Sequence, residues 1–94
     1  MTQEQIIIKE TRNKAGYLNL EYRLIESECT WEGGTRSVYS IFISVNNTET
    51  EEHEEKLIED ITSEKSCAEE LFDLVVLGKV TPMTLHYVVS DFID

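Results

Sequence analysis

Apolar and polar residues alternate along the first half of the chain, and then the period changes. In "YLNLEYRLIE", Leu18, Leu20, Tyr22 and Leu24 fall on one side, with Asn19, Glu21 and Arg23 on the other. A period of two predicts a strand with one buried face. "SVYSIFISV" repeats the pattern, with Tyr39, Ile41, Ile43 and Val45 set against Ser40, Phe42 and Ser44. "QIIIKE" is short and β-branched, which predicts a first strand over about residues 4–10. The intervening "TRNKAG" and "WEGGTRS" supply turn chemistry through Asn13, Gly16 and Gly33-Gly34. Strands joined by short turns predict an antiparallel meander.

The tail follows a helical period. Ser63 stands at an N-cap position before "EKSCAEELFDLVVLG", in which Cys67, Leu71, Leu74 and Val75 are spaced as one helical face. Gly78 with Lys79 marks the end of that helix. Thr81 followed by Pro82 predicts a cap and first turn for a second helix, with Leu85, Val88, Val89 and Phe92 on its apolar side. A helix this short is marginal alone and must dock, most simply on the sheet's apolar side.

Between the two halves lies "TETEEHEEKLIED", residues 48–60, with seven carboxylates beside His53 and Lys56. A helix here would set Glu51 against Glu55 across one turn, a like-charge pair that costs a few tenths of a kcal/mol. A strand over about residues 55–61, with Leu57, Glu59 and Ile61 alternating, is the better reading. It leaves residues 48–56 as an acidic loop. Charge on an edge strand also discourages edge-to-edge aggregation. The expected architecture is a single α+β domain over residues 1–94, an antiparallel sheet of three or four strands with two C-terminal helices packed on one face.

Composition narrows the functions. The 94 residues carry a formal net charge of −11, with eight Lys and Arg scattered along the chain. That balance repels nucleic acid and anionic lipid, so direct nucleic-acid binding is not expected. No stretch approaches the roughly 20 apolar residues of a membrane span, and the first residues lack a signal peptide's basic start and apolar core. A cytoplasmic location is the expectation. Cys29 and Cys67 are too few and too far apart for a zinc site or a disulfide framework, and buried reduced thiols are the plainer reading.

The acid run has three readings, of which the plainest is a solvated face. Next is a protein-binding patch, for which Glu49, Glu51, Glu52, Glu54 and Glu55 are the candidate residues. A sharper form of this is imitation of nucleic acid. Same-face side chains on a strand repeat at about 6.6–6.8 Å, against a rise of about 3.4 Å per phosphate along DNA. A metal site comes last, because His53 lies among glutamates without ordered oxygen spacing or a tight glycine turn.

No cofactor motif is present, neither histidine stands in a catalytic pattern, and no enzyme activity is expected. Trp31, in a turn beside Gly33-Gly34, is a candidate apolar anchor for a partner, although its ring can equally close the end of the core. Tyrosines 17, 22, 39 and 87 are further candidates for such a rim.

The C-terminal half resembles a family of small, acidic, uncharacterised clostridial-type bacterial proteins. The residues that carry the likeness are Asp60-Ile61-Thr62, Val80-Thr81-Pro82 and Asp91-Phe92. It implies a strand leading into a helix and then a closing helix, and it implies no activity. The expected function is therefore that of a small cytoplasmic protein-binding or regulatory protein. Its partner would be another protein, one with a basic surface. The alternatives are a nucleic-acid mimic that inhibits a DNA- or RNA-processing protein, and a structural homodimer.

Overall fold

Four strands and two helices follow one another in the computed structural model, which describes residues 4–93 and the side chains of residues 5–30 and 32–92. The strands are β1 (Glu4–Ala15), β2 (Leu18–Trp31), β3 (Gly34–Asn47) and β4 (His53–Thr62), and the helices are α1 (Lys65–Leu77) and α2 (Leu85–Ile93). The sheet order is β1-β2-β3-β4, and every pairing is antiparallel. The fold is thus an α+β meander with both helices on one face. No helix among the described residues is long and apolar enough to cross a membrane.

The strands run further than alternation alone predicts. β1 continues through Thr11–Lys14 to Ala15, so Asn13 lies in the strand and not in a turn. Only Gly16 and Tyr17 separate Ala15 from its partner Leu18, with Gly16 at φ +60°. Glycine at the first central position of a two-residue hairpin takes that angle without steric cost. Likewise β2 runs on to Trp31, which pairs with Gly34 at φ +129°. Polar residues tolerate these extensions because the neighbouring strand satisfies their backbone groups.

The register assigns the two faces. Leu20, Tyr22 and Leu24 of β2, with Tyr39, Ile41, Ile43 and Val45 of β3, form the core with Ala68, Leu71, Phe72 and Val75 of α1 and Leu85 and Val89 of α2. The buried stripe of α1 is thus turned from the expected one. Ala68 and Phe72 take the places given to Cys67 and Leu74, and Leu74 is 49% exposed. The cap is Glu64, not Ser63, and it makes no side-chain cap hydrogen bond. At the other end, Val80 N–H donates to Val75 O and Lys79 N–H to Val76 O. This pair of bonds closes a helix by the Schellman pattern, with Lys79 in the left-handed position at φ +50°.

α2 starts one turn later than expected. Thr84 N–H donates to Thr81 O, and this turn holds the buried Pro82 ahead of the helix. Three polar ties fasten the helices to the sheet. Tyr22 Oη donates to Val80 O at 3.0 Å, Asn13 Nδ2 donates to Val76 O at 3.4 Å, and Lys9 pairs with Glu69 and Asp73 of α1.

Candidate functional site

The acid run is not one loop. β4 begins at His53, so the connection is Thr48–Glu52 and not residues 48–56. Asn47 organises it: its side-chain Oδ1 accepts from Glu49 and Thr50 N–H, and its carbonyl accepts from Glu51 N–H. Asn47 N–H in turn donates to Glu52 O, and Glu51 sits at φ +64°. An asparagine that bonds its own following backbone is a self-contained turn. This acid loop is therefore ordered by its backbone, while the carboxylates of Glu49, Glu51 and Glu52 stand exposed.

Pairing then sends the next two candidates to opposite faces. Glu54 pairs with Val45 on the helix-bearing side, whereas Glu55 pairs with Ser44 on the bare side. His53 follows Glu55, binding its carboxylate through Nε2 at 3.1 Å and Asn46 Oδ1 through Nδ1. On each face the carboxylate is flanked along β4 by other residue types: His53, Glu55 and Leu57 on one, Glu54, Lys56 and Ile58 on the other. The ladder of carboxylates that phosphate imitation requires does not form along this strand.

The expected alternation of Leu57, Glu59 and Ile61 also fails, because β4 is bulged. Ile41 pairs with Ile58 and Tyr39 with Thr62, so Ser40 alone lies opposite three residues. Asp60 takes φ +53° there and gives its N–H to Ser40 Oγ at 3.1 Å. The insertion brings both Ile58 and Ile61 against the core and leaves Leu57 41% exposed on the bare face.

Trp31 and the glutamates do not meet. The Trp31 side chain lies outside the described residues, but its backbone ends β2, whereas the acid loop adjoins the start of β2 through the Leu18–Asn47 pair. At about 3.3 Å per residue a strand of 14 residues spans roughly 43 Å, close to the molecule's 49 Å length. Trp31 and the acid loop therefore lie at opposite ends of β2. Of the tyrosines, Tyr22 and Tyr39 are buried in the core, and Tyr87 is exposed on α2.

The exposed aromatic beside the acid loop is Tyr17, a residue that alternation alone treats as part of a strand. It is 64% exposed at the first hairpin, and its carbonyl accepts from both Thr48 N–H (2.7 Å) and Thr48 Oγ1 (3.1 Å). Next to it lies a groove of about 250 Å³. Leu18, Val45 and Met83 supply its apolar lining, and Glu52 and Glu54 supply its charge. Met83 is 72% exposed. This groove needs the β3–β4 loop and the turn before α2 to lie side by side, a juxtaposition no local pattern encodes. A shallow apolar channel with carboxylates at its edge matches a long cationic side chain, whose methylene stem is apolar and whose head is charged.

No curated protein and no solved structure matches the chain. Residues 1–94 match a family of unknown function (DUF6514), and the chain belongs to that family.

Proposed function

We propose that this is a small, non-catalytic bacterial protein of the cytoplasm that binds a basic segment of another protein at its acidic end, and so acts as a regulatory or adaptor component. One observation carries the reading. The Leu18–Val45–Met83 groove has Glu52 and Glu54 along it and the exposed Tyr17 beside it, which combines a stem-binding floor with charge for a lysine or arginine head. Long-range attraction would speed encounter with a basic partner, and the groove would confer the selectivity. Imitation of nucleic acid is the weaker reading, since the carboxylates of β4 are not aligned on one face.

The test is a titration with a short arginine- and lysine-containing peptide, followed by amide chemical shifts. Changes should centre on Leu18, Val45, Glu52, Glu54 and Met83 and fade as salt is raised. The Glu52→Gln, Glu54→Gln double variant should lose them. Shifts spread evenly over all acidic positions, or unaltered by that variant, would overturn the proposal.

A further inference from the structure

The helices cover one face of the sheet and leave the other bare, and the register shows that bare face to be ordered in rows. Lys14, Asn19, Asn46 and His53 form one row across the four strands; Arg12, Glu21, Ser44 and Glu55 form the next. Glu10, Arg23, Phe42 and Leu57 form a third. Beyond these lie Ile7 paired to Ile25, then Ser27 between Gln5 and Val38, with Cys29 and Arg36 paired at the far end. Ile7 is 50% and Leu57 41% exposed, and the small Ser27, Ser40 and Ser44 make a low floor between larger neighbours. The bare face thus carries most of its charged residues in one half and its aliphatic Ile7, Ile25 and Val38 in the other. On β1 Arg12 and Lys14 stand beside the single carboxylate of Glu10, whereas β4 presents Glu55.

We propose that this face is the interface of a homodimer, in which a second copy packs sheet on sheet about a two-fold axis parallel to the strands. Such an axis lays β1 of one copy over β4 of the other while keeping position along the strands. The aliphatic halves then meet, Arg12 of each copy comes over Glu55 of its partner, and Arg23 comes over the partner's Phe42. Within one chain Arg23 already lies 5.4 Å from the Phe42 ring centroid, so this pairing extends a contact the residue types favour. A two-fold running across the strands lays β1 on β1. It either opposes like charges or sets the polar half against apolar side chains.

Extent supports the same occupant. The molecule measures 49 Å by 27 Å along its two longer axes, enough for the roughly 800 Å² per partner of a standard interface. Aligned sheets about 10 Å apart, crossed by about 30°, are the ordinary geometry for two such faces. The dimer would be a four-layer assembly with helices outside and both sheets within. This proposal is independent of the acidic groove, because Glu54 and Met83 lie on the helix-bearing side.

Sedimentation equilibrium tests it. At about 100 μM the chain should have twice its 10.9 kDa mass. Phe42→Asp should raise the dissociation constant at least about tenfold, with unchanged far-ultraviolet circular dichroism. Leu57→Glu, at an exposed edge-strand position, should do the same and serves if Phe42→Asp fails to fold. The axis is tested in a Cys29→Ser, Cys67→Ser background. An equimolar mixture of Arg12→Cys and Glu55→Cys chains should be joined to each other by a thiol-specific bismaleimide that spans about 8–10 Å, the separation of packed sheets, and neither chain should be joined to itself. A monomer at about 1 mM, a dimer indifferent to both face variants, or an Arg12→Cys chain that cross-links to itself would overturn the proposal.

Discussion

The two faces of this sheet are built from the same strands by alternate residues, yet they follow different rules. On the covered face, Tyr22, Leu24, Ile41 and Ile43 are almost wholly removed from water and pack against Leu71, Phe72 and Val75. On the bare face, Phe42 and Ile25 are half-buried by their own neighbours alone, and charged pairs such as Arg23–Glu10 and Arg12–Glu21 fill the space between. Burial on the first face depends on the helices. On the second, Ser27, Ser40, Ser44 and Val38 are buried among their sheet neighbours without a helix above them. Alternation tells which residues share a face, but not which face is roofed.

Leu24 and Ile25 sharpen the contrast most, since they are adjacent and point opposite ways. Leu24→Ala should cost about 2–5 kcal/mol, as a buried leucine truncated in a packed core does. Ile25→Ala should cost only about 1 kcal/mol in the monomer. Urea denaturation at low protein concentration measures both. Equal losses would show the bare face to be as tightly packed as the core.

A smaller effect separates the core's polar contacts from those outside. Tyr39 Oη donates to Glu26 Oε2 at 2.8 Å at the core's edge. Tyr39→Phe leaves that carboxylate short of a donor and should cost about 1–2 kcal/mol. The same contact gives the covered face a pH signature. Burial raises the Tyr22 and Tyr39 pKa values above the ordinary tyrosine value, and for Tyr39 the Glu26 hydrogen bond raises it further. A folded-state pKa above the unfolded one favours the neutral phenol in the fold. The associated stability is present in full below about pH 10 and is lost as pH climbs through the raised values. Urea midpoints should therefore hold up to about pH 10 and fall above it, and Tyr39→Phe should flatten part of that fall.

Smaller still is the effect of Lys79, which holds the left-handed position that closes α1 beneath the Tyr22–Val80 hydrogen bond. Lys79→Gly should raise stability by up to about 1 kcal/mol in thermal melts, because glycine takes that angle freely. A loss would mean that the lysine side chain itself helps secure the roof. Least affected should be Glu52→Gln with Glu54→Gln, whose exposed carboxylates have no described partner in the fold. Stability should stay within about 0.5 kcal/mol or rise slightly as like charges are removed.

Much of this fold is legible in the sequence. The period of two in residues 18–24 and 39–45 is a property of the backbone's own geometry, and the helical spacing of Leu85, Val88, Val89 and Phe92 is equally local. The site was far less legible. Five glutamates stood out by composition, yet strand pairing parted Glu54 from Glu55, the length of β2 removed Trp31 to the far end, and chain reversal brought Tyr17 and Met83 beside the loop. None of these depends on nearest neighbours in sequence.

Local sequence thus determined the element types and the residues that share each strand face, because side-chain direction repeats with the backbone every two or every 3.6 residues. Only the tertiary structure decided where the strands end, where β4 bulges at Asp60, which turn of α1 faces inward, and which sheet face stays open. Those outcomes depend on pairing and packing between segments distant in the chain, whose energies appear only when the segments meet.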